Sequence, residues 1–230
     1  MRRAALAILA ISLSSLFTHG ALARDLPVVV ELFTSESCSS CPPADAFLTD
    51  LARERGDVLP LAFHVTYWND LGWKDPFSFP AATARQKDYA RNLGGQVYTP
   101  EMVVNGTRAF VGSDRAQGLA EIASAARSPR APIPINLTRD GRSLVITVGP
   151  GTDRATILLV GFDSQHVTPI GRGENGGRTL LETNIVRSLT VAGQWQGAAT
   201  ELRQEPPTGE RFAVLLQDGD GRILSAATLD

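Results

Sequence analysis

The apolar positions of the chain change their period about midway. Pro27 to Phe33 (PVVVELF) is a short β-branched apolar run and reads as a buried strand. Asp45 to Arg55 places Ala46, Phe47, Leu51 and Ala52 at helical spacing, and Pro42 and Pro43 fit that helix's first turn, where a missing N–H is tolerated. Gly56 and Asp57 end it, and Val58 to Val65 reads as a second strand. Thr66 to Pro80 is aromatic and irregular. Ala81 to Leu93 is a helix stopped by Gly94-Gly95, and Met102 to Val104 and Ala109 to Val111 form a hairpin across Asn105-Gly106. Ser113 or Asp114 caps a third helix that runs to about Arg127.

Pro129 to Pro134 (PRAPIP) reads as a linker, and beyond it helical spacing disappears. Ile133 to Thr138 and Leu144 to Val148 flank Asp140-Gly141. Ala155 to Phe162, Asn184 to Val191, Phe212 to Gln217 and Ile223 to Thr228 follow as short strands. Strands at this spacing without helices predict a sandwich. The expected organisation is an α/β domain over residues 24–129 and an all-β sandwich-like domain over residues 130–230.

The first residues read as a targeting signal. Arg2 and Arg3 precede an uncharged, mostly apolar stretch from Ala4 to Phe17, and Ala21-Leu22-Ala23 is a small-x-small site with cleavage expected after Ala23. The stretch is shorter than the roughly 20 residues a membrane span needs, and no later segment could span. The expected location is the periplasm of a Gram-negative bacterium, or outside the cell. Of 230 residues, 22 are Lys or Arg and 24 are Asp or Glu; removing residues 1–23 takes away two basic residues, leaving 20 − 24 = −4. No basic patch stands out, which argues against a nucleic-acid partner.

The two cysteines form one motif, Cys38-Ser39-Ser40-Cys41. So short a loop restrains an unfolded chain little, which makes stability a weak reason for the pair. A strand delivering Cys38 to a helix start would bring it to unsatisfied N–H groups that favour a thiolate. Such settings lower a thiol pKa from ~8.5 into the range ~3.5–7.5. Cys38 would attack and Cys41 would resolve the mixed disulfide. Zinc, an inert disulfide and a copper or other soft-metal site are the competing readings; zinc usually needs four ligands, and beyond residue 23 the only histidines are His64 and His166.

This order of elements around C-x-x-C resembles the thioredoxin-like superfamily, with Thr99-Pro100 standing where those proteins place a cis-proline beside the disulfide. The segments VELFTSESCSSCPPAD, FHVTYWNDLGWKDPF, QVYTPEMVVNG and GRGENGGRTLLETNIVR together resemble, more closely, the secreted thioredoxin-like family catalogued as domain of unknown function 1223. The fold this implies is an α/β thioredoxin-like domain followed by the sandwich-like domain. The resemblance implies that Pro100 is cis and that Thr99 lends backbone groups to a substrate chain. It also sets Glu31 near the position of a buried acid that takes a proton from Cys41, although Glu31 stands one residue further from the motif than usual; a solvated strand charge is the alternative. The usual aromatic before the first cysteine is Ser37, and Glu36 beside the pair would oppose a thiolate.

His64 is a candidate for tuning the thiolate or for a third metal ligand, against a packed structural histidine. Trp68 belongs to an aromatic loop that reads as either a substrate groove or a small core. Arg172 to Arg178 (RGENGGR) is a polar turn that either covers the redox site or only joins two strands. The function expected is an exported thiol–disulfide oxidoreductase acting on a protein thiol or disulfide, with no bound cofactor needed because the electrons reside in the cysteine pair. The alternative is a non-catalytic protein, including a copper carrier whose third ligand would be His64 or His166.

Overall fold

The computed structural model describes residues 26–128 and 133–229. The expected signal segment and residues 129–132 of the expected linker lie outside that range. In chain order the elements are β1 (Val28–Thr34), α1 (Pro42–Glu54), β2 (Val58–His64), α2 (Pro80–Leu93), β3 (Glu101–Val104), β4 (Arg108–Val111) and α3 (Arg115–Arg127). They continue as β5 (Ile135–Asp140), β6 (Ser143–Val148), β7 (Ala155–Pro169), β8 (Thr179–Trp195), β9 (Thr200–Gln204), β10 (Arg211–Gln217) and β11 (Ile223–Leu229).

The local signals act as their chemistry dictates. Pro80 opens α2 and Gly94, at φ 68°, closes it with its N–H on Ala90 O. Asp114 rather than Ser113 caps α3, accepting from Gln117 N at 3.0 Å. Asn105 and Gly106 both adopt positive φ in the β3–β4 turn.

The expected architecture, an α/β thioredoxin-like domain followed by an all-β sandwich-like domain, does not form. One mixed sheet of eight strands runs through both halves in the order β11-β10-β7-β8-β2-β1-β3-β4, and a second sheet holds only β5-β6-β9. Among the described residues the structure is mostly β, with three short helices. The reason lies in β7 and β8, which are 15 and 17 residues long. Their hairpin reaches across to β2, where Ala62 pairs with Ile185 in parallel and Asn184 Nδ2 donates to Pro60 O at 2.9 Å. The edge that β2 would otherwise present, a row of unpaired backbone groups, is thereby covered.

Side-chain alternation along β1 sorts the core. Val28, Val30 and Leu32 face α1 and α3 with Phe47, Leu48 and Ile122. Val29 and Phe33 face the other way, into a cluster with Tyr89 of α2 and with Val160 and Leu215 from the C-terminal half. The sheet curls around that cluster, because Ile223 N, at one edge, donates to Asn105 O in the β3–β4 turn near the other. The three-stranded sheet covers Val214, Leu216 and Leu159 on the opposite face of β10 and β7. Among the described residues no helix is long and apolar enough to cross a membrane.

Candidate functional site

Cys38 and Cys41 form a disulfide. Cys41 is the N-cap of α1, its carbonyl accepting from Ala44 N and Asp45 N, while Cys38 occupies the preceding turn. Both cysteines are fully buried, and the exposed tip of the loop is Ser39-Ser40. Thr99–Pro100 is cis. Thr99 Oγ1 accepts from Trp68 Nε1 at 2.8 Å and donates to Cys38 Sγ at 3.4 Å, so the two residues reach the sulfur in series. Gly112 lets the β4–α3 turn approach this point: a Cβ there would lie 2.8 Å from Leu32 and 3.2 Å from Ala44. Its N–H closes on Pro100 O at 2.9 Å.

The Arg172–Arg178 turn lies against the cysteine loop. Fully buried Asn175 donates from Nδ2 to Glu36 O at 2.9 Å and to Cys38 O at 3.0 Å, while Glu174 accepts from Ser39 N at 3.1 Å. Arg178 in turn holds Asn175 Oδ1. Asn175→Ala leaves two backbone carbonyls short of a donor, at a cost of about 1–3 kcal/mol. Urea denaturation of the oxidised variant should show that loss, and dithiothreitol should reduce its disulfide faster; unchanged stability and rate would mean the turn does not hold the loop.

Glu31 is buried on the face of β1 that looks away from α1, where it takes two contacts from Arg85 and one from the Tyr89 hydroxyl. The supporting role expected for it beside Cys41 therefore does not follow: the sheet stands between them, and its charge is committed to Arg85. The ionisable groups next to the cysteine loop are others, and of these His64 and Glu36 are the two that the sequence pattern points to. His64 is fully buried, with Nδ1 2.7 Å from Asp75 Oδ2 and Nε2 3.6 Å from Glu182 Oε1. Asp75 also accepts from Glu36 N at 2.9 Å, and Trp73 Nε1 donates to Glu36 Oε2 at 2.7 Å. Asp45, one helical turn beyond Cys41, accepts from Thr34 Oγ1 at 2.7 Å.

These five groups set each other's charge. Burial alone would lower the His64 pKa, but the carboxylates of Asp75, Glu182 and Asp45 outweigh it and raise it to about 10. Burial would raise Asp75, yet the His64 cation holds it below its usual value. Burial raises Asp45 to about 7, with the Thr34 bond offsetting only part, and it also raises Glu36 and carries Glu182 well above the carboxylate range. Among the described residues no set of three or more His, Cys, Asp or Glu side chains is arranged to hold a metal ion. His166 has Nε2 on Asp163 Oδ2 at 2.8 Å and packs against Phe77, with ring centroids 4.7 Å apart.

A buried C-x-x-C disulfide at a helix start, faced by a cis-proline and set on a mixed sheet, defines the class of protein. More particularly, the chain belongs to the family described as protein of unknown function (DUF1223), whose profile matches residues 29–217. It is similar to the crystal structure of an Agrobacterium tumefaciens protein solved as a structural-genomics target: 29% identity, TM-score 0.79, covering 90% of this chain and 95% of that one. It also resembles HBP35 of Porphyromonas gingivalis in fold, with TM-score 0.60 at 13% identity over 89% of this chain and 75% of that one. No curated protein matches the chain.

Proposed function

We propose that the protein is an exported thiol–disulfide oxidoreductase in which Cys38 is the exchanging sulfur and Cys41 the resolving one. The observation that carries this reading is the contact of Thr99 Oγ1 with Cys38 Sγ, next to the cis Thr99–Pro100 bond. A hydroxyl donating to a sulfur stabilises a thiolate there. The likeness to the thioredoxin-like superfamily is, on this reading, a likeness of the redox centre. Export rests on the charge and apolar pattern of residues 1–23. The partner is a protein thiol or disulfide, and an oxidising compartment suits that chemistry.

Cys41→Ser, expressed with its native leader, should accumulate mixed disulfides through Cys38 that a reductant reverses, since the resolving thiol is gone. The absence of any such adduct, together with no equilibration of the wild-type pair in glutathione buffers, would remove the reading. The potential of the pair then sets direction: near about −270 mV it donates electrons, near about −120 mV it accepts them.

A further inference from the structure

Exchange at a buried sulfur needs a place for its proton. Cys41 has no exposed surface. Its thiol must lose a proton before it can attack, and must regain one after it is expelled. The nearest carboxyl along α1 is Asp45, four residues on, where side chains share a helix face. Its backbone N–H bonds Cys41 O at 3.1 Å, which fixes the register of that first turn. Its side chain accepts from Thr34 Oγ1, and among the described residues no lysine or arginine pairs with it at ion-pair distance. The residue is only 6% exposed, but it lines a cleft of about 350 Å³ between α1 and the start of β8, walled by Pro42, Ala46, Thr49, Arg53 and Leu181.

We propose that Asp45 takes the proton of the Cys41 thiol when that sulfur attacks, returns it when the Cys38–Cys41 bond is broken, and exchanges it with solvent through the cleft between α1 and β8. The inference rests on the exchange reading above. In the reducing direction the Cys38 thiolate attacks a substrate disulfide, forming a Cys38 mixed disulfide and expelling one substrate thiolate. Cys41 gives its proton to Asp45 and its sulfur attacks Cys38 Sγ. The Cys38–Cys41 bond re-forms, the second substrate thiolate leaves, and Asp45 releases the proton through the cleft. Two electrons pass from the cysteine pair to the substrate, whose two thiolates take up the proton released by Asp45 and the one Cys38 had already given to solvent. The oxidising direction is the reverse, with protonated Asp45 supplying the departing Cys41 sulfur.

The other acids fit the task less well. Glu31 is across the sheet and bound to Arg85. Asp75 is held ionised by His64 and by the backbone of Glu36 and Phe77. Glu182 on β8 faces His64 and, among the described residues, receives no hydrogen bond, and Glu36, on the loop after β1, is held by Trp73. Asp45 alone combines the helix register of Cys41 with an opening to solvent. Burial, offset in part by the Thr34 hydrogen bond and the His64 cation, brings its titration to about 7, where it can both take and return a proton near neutral pH.

The test follows resolution of the Cys38–glutathione mixed disulfide, formed by adding glutathione disulfide to the reduced full-length mature chain, by acid quench and mass spectrometry across pH. The wild-type rate should break near pH 7. Asp45→Asn should lose the break and slow resolution about 10²-fold, while Thr34→Val, which removes the donor that favours the carboxylate, should move the break to higher pH. A folded Asp45→Asn with the wild-type rate and profile would overturn the proposal. Should that variant not fold, the wild type and Thr34→Val decide it: a resolution rate without a break between about pH 5.5 and 8.5, or a break that Thr34→Val leaves in place, sinks the assignment. If no glutathione adduct forms at all, the exchange reading fails and takes the proposal with it, whereas an adduct that forms and resolves independently of pH overturns the role of Asp45 alone.

Discussion

Arg85→Met will lower the unfolding free energy by about 3–5 kcal/mol, the cost of leaving a buried charge without its partner. Arg85 is 7% exposed and Glu31 is fully buried. The guanidinium takes both Glu31 oxygens, Nη2 reaching Oε2 at 3.0 Å, while Nη1 donates to Gln217 Oε1 at 3.0 Å and Nη2 to Tyr89 Oη at 2.8 Å. One side chain thus ties β1, α2 and β10, elements from both halves of the chain. Without it the Glu31 carboxylate keeps only the Tyr89 hydroxyl among these donors. The double variant Glu31→Leu with Arg85→Met removes both charges, and should recover most of the loss because apolar replacements of a buried pair are often close to neutral. Urea denaturation of wild type, both single variants and the double variant measures this. A loss below about 1 kcal/mol for Arg85→Met, the range of exposed pairs, would show that water reaches the pair.

The same network explains how far the sequence could be read. The elements up to α3 were legible because their signals are local: β-branched runs, prolines at helix starts, Asn105-Gly106, and the spacing of Cys38 and Cys41. The fold was not, because its decisive contacts are remote. The outer parts of β7 and β8 alternate polar and apolar residues through Gln165, His166 and Thr183, with the exposure pattern of a two-sided hairpin, and read singly they look like loop. Thr200–Gln204, a polar strand at the edge of the small sheet, has no apolar run to announce it. Only pairing shows that β8 reaches β2 and makes one sheet of two expected domains. Glu31 stands near the motif in sequence, but the parity of β1 turns it to the opposite face. In the sequence Asp45 stands only at the start of a helical run. An acid four residues after the second cysteine, on the face that carries Ala44 and Leu48 inward, was the available signal.

His64→Gln is expected to cost stability in a way that peaks near neutral pH. Wild-type His64 titrates at about 10, because Asp75, Glu182 and Asp45 outweigh the burial that would lower it. A cation whose folded pKa lies above its unfolded value near 6.5 contributes fully below that value, and its contribution fades as pH rises through 10. On the alkaline side the wild type therefore loses what the variant never had, and the two converge. On the acid side the reason is different. Asp45 titrates at about 7, and Glu36 and Glu182 are also raised, so in acid these groups stay protonated in the folded protein and need no cation. As pH rises the variant must either ionise them without a counter-charge or hold their protons against solvent, and its stability falls first. Asp75, which His64 keeps ionised in the wild type, adds to this loss once its partner is gone. The difference between the proteins should be small at about pH 4.5, reach about 3–5 kcal/mol near pH 6.5–7, and shrink again above about pH 9.5. Urea midpoints at these three values test it. A cost that stays constant across them would mean that His64 contributes by packing against Phe77, with ring centroids 5.6 Å apart, and not by its charge among the carboxylates around the disulfide.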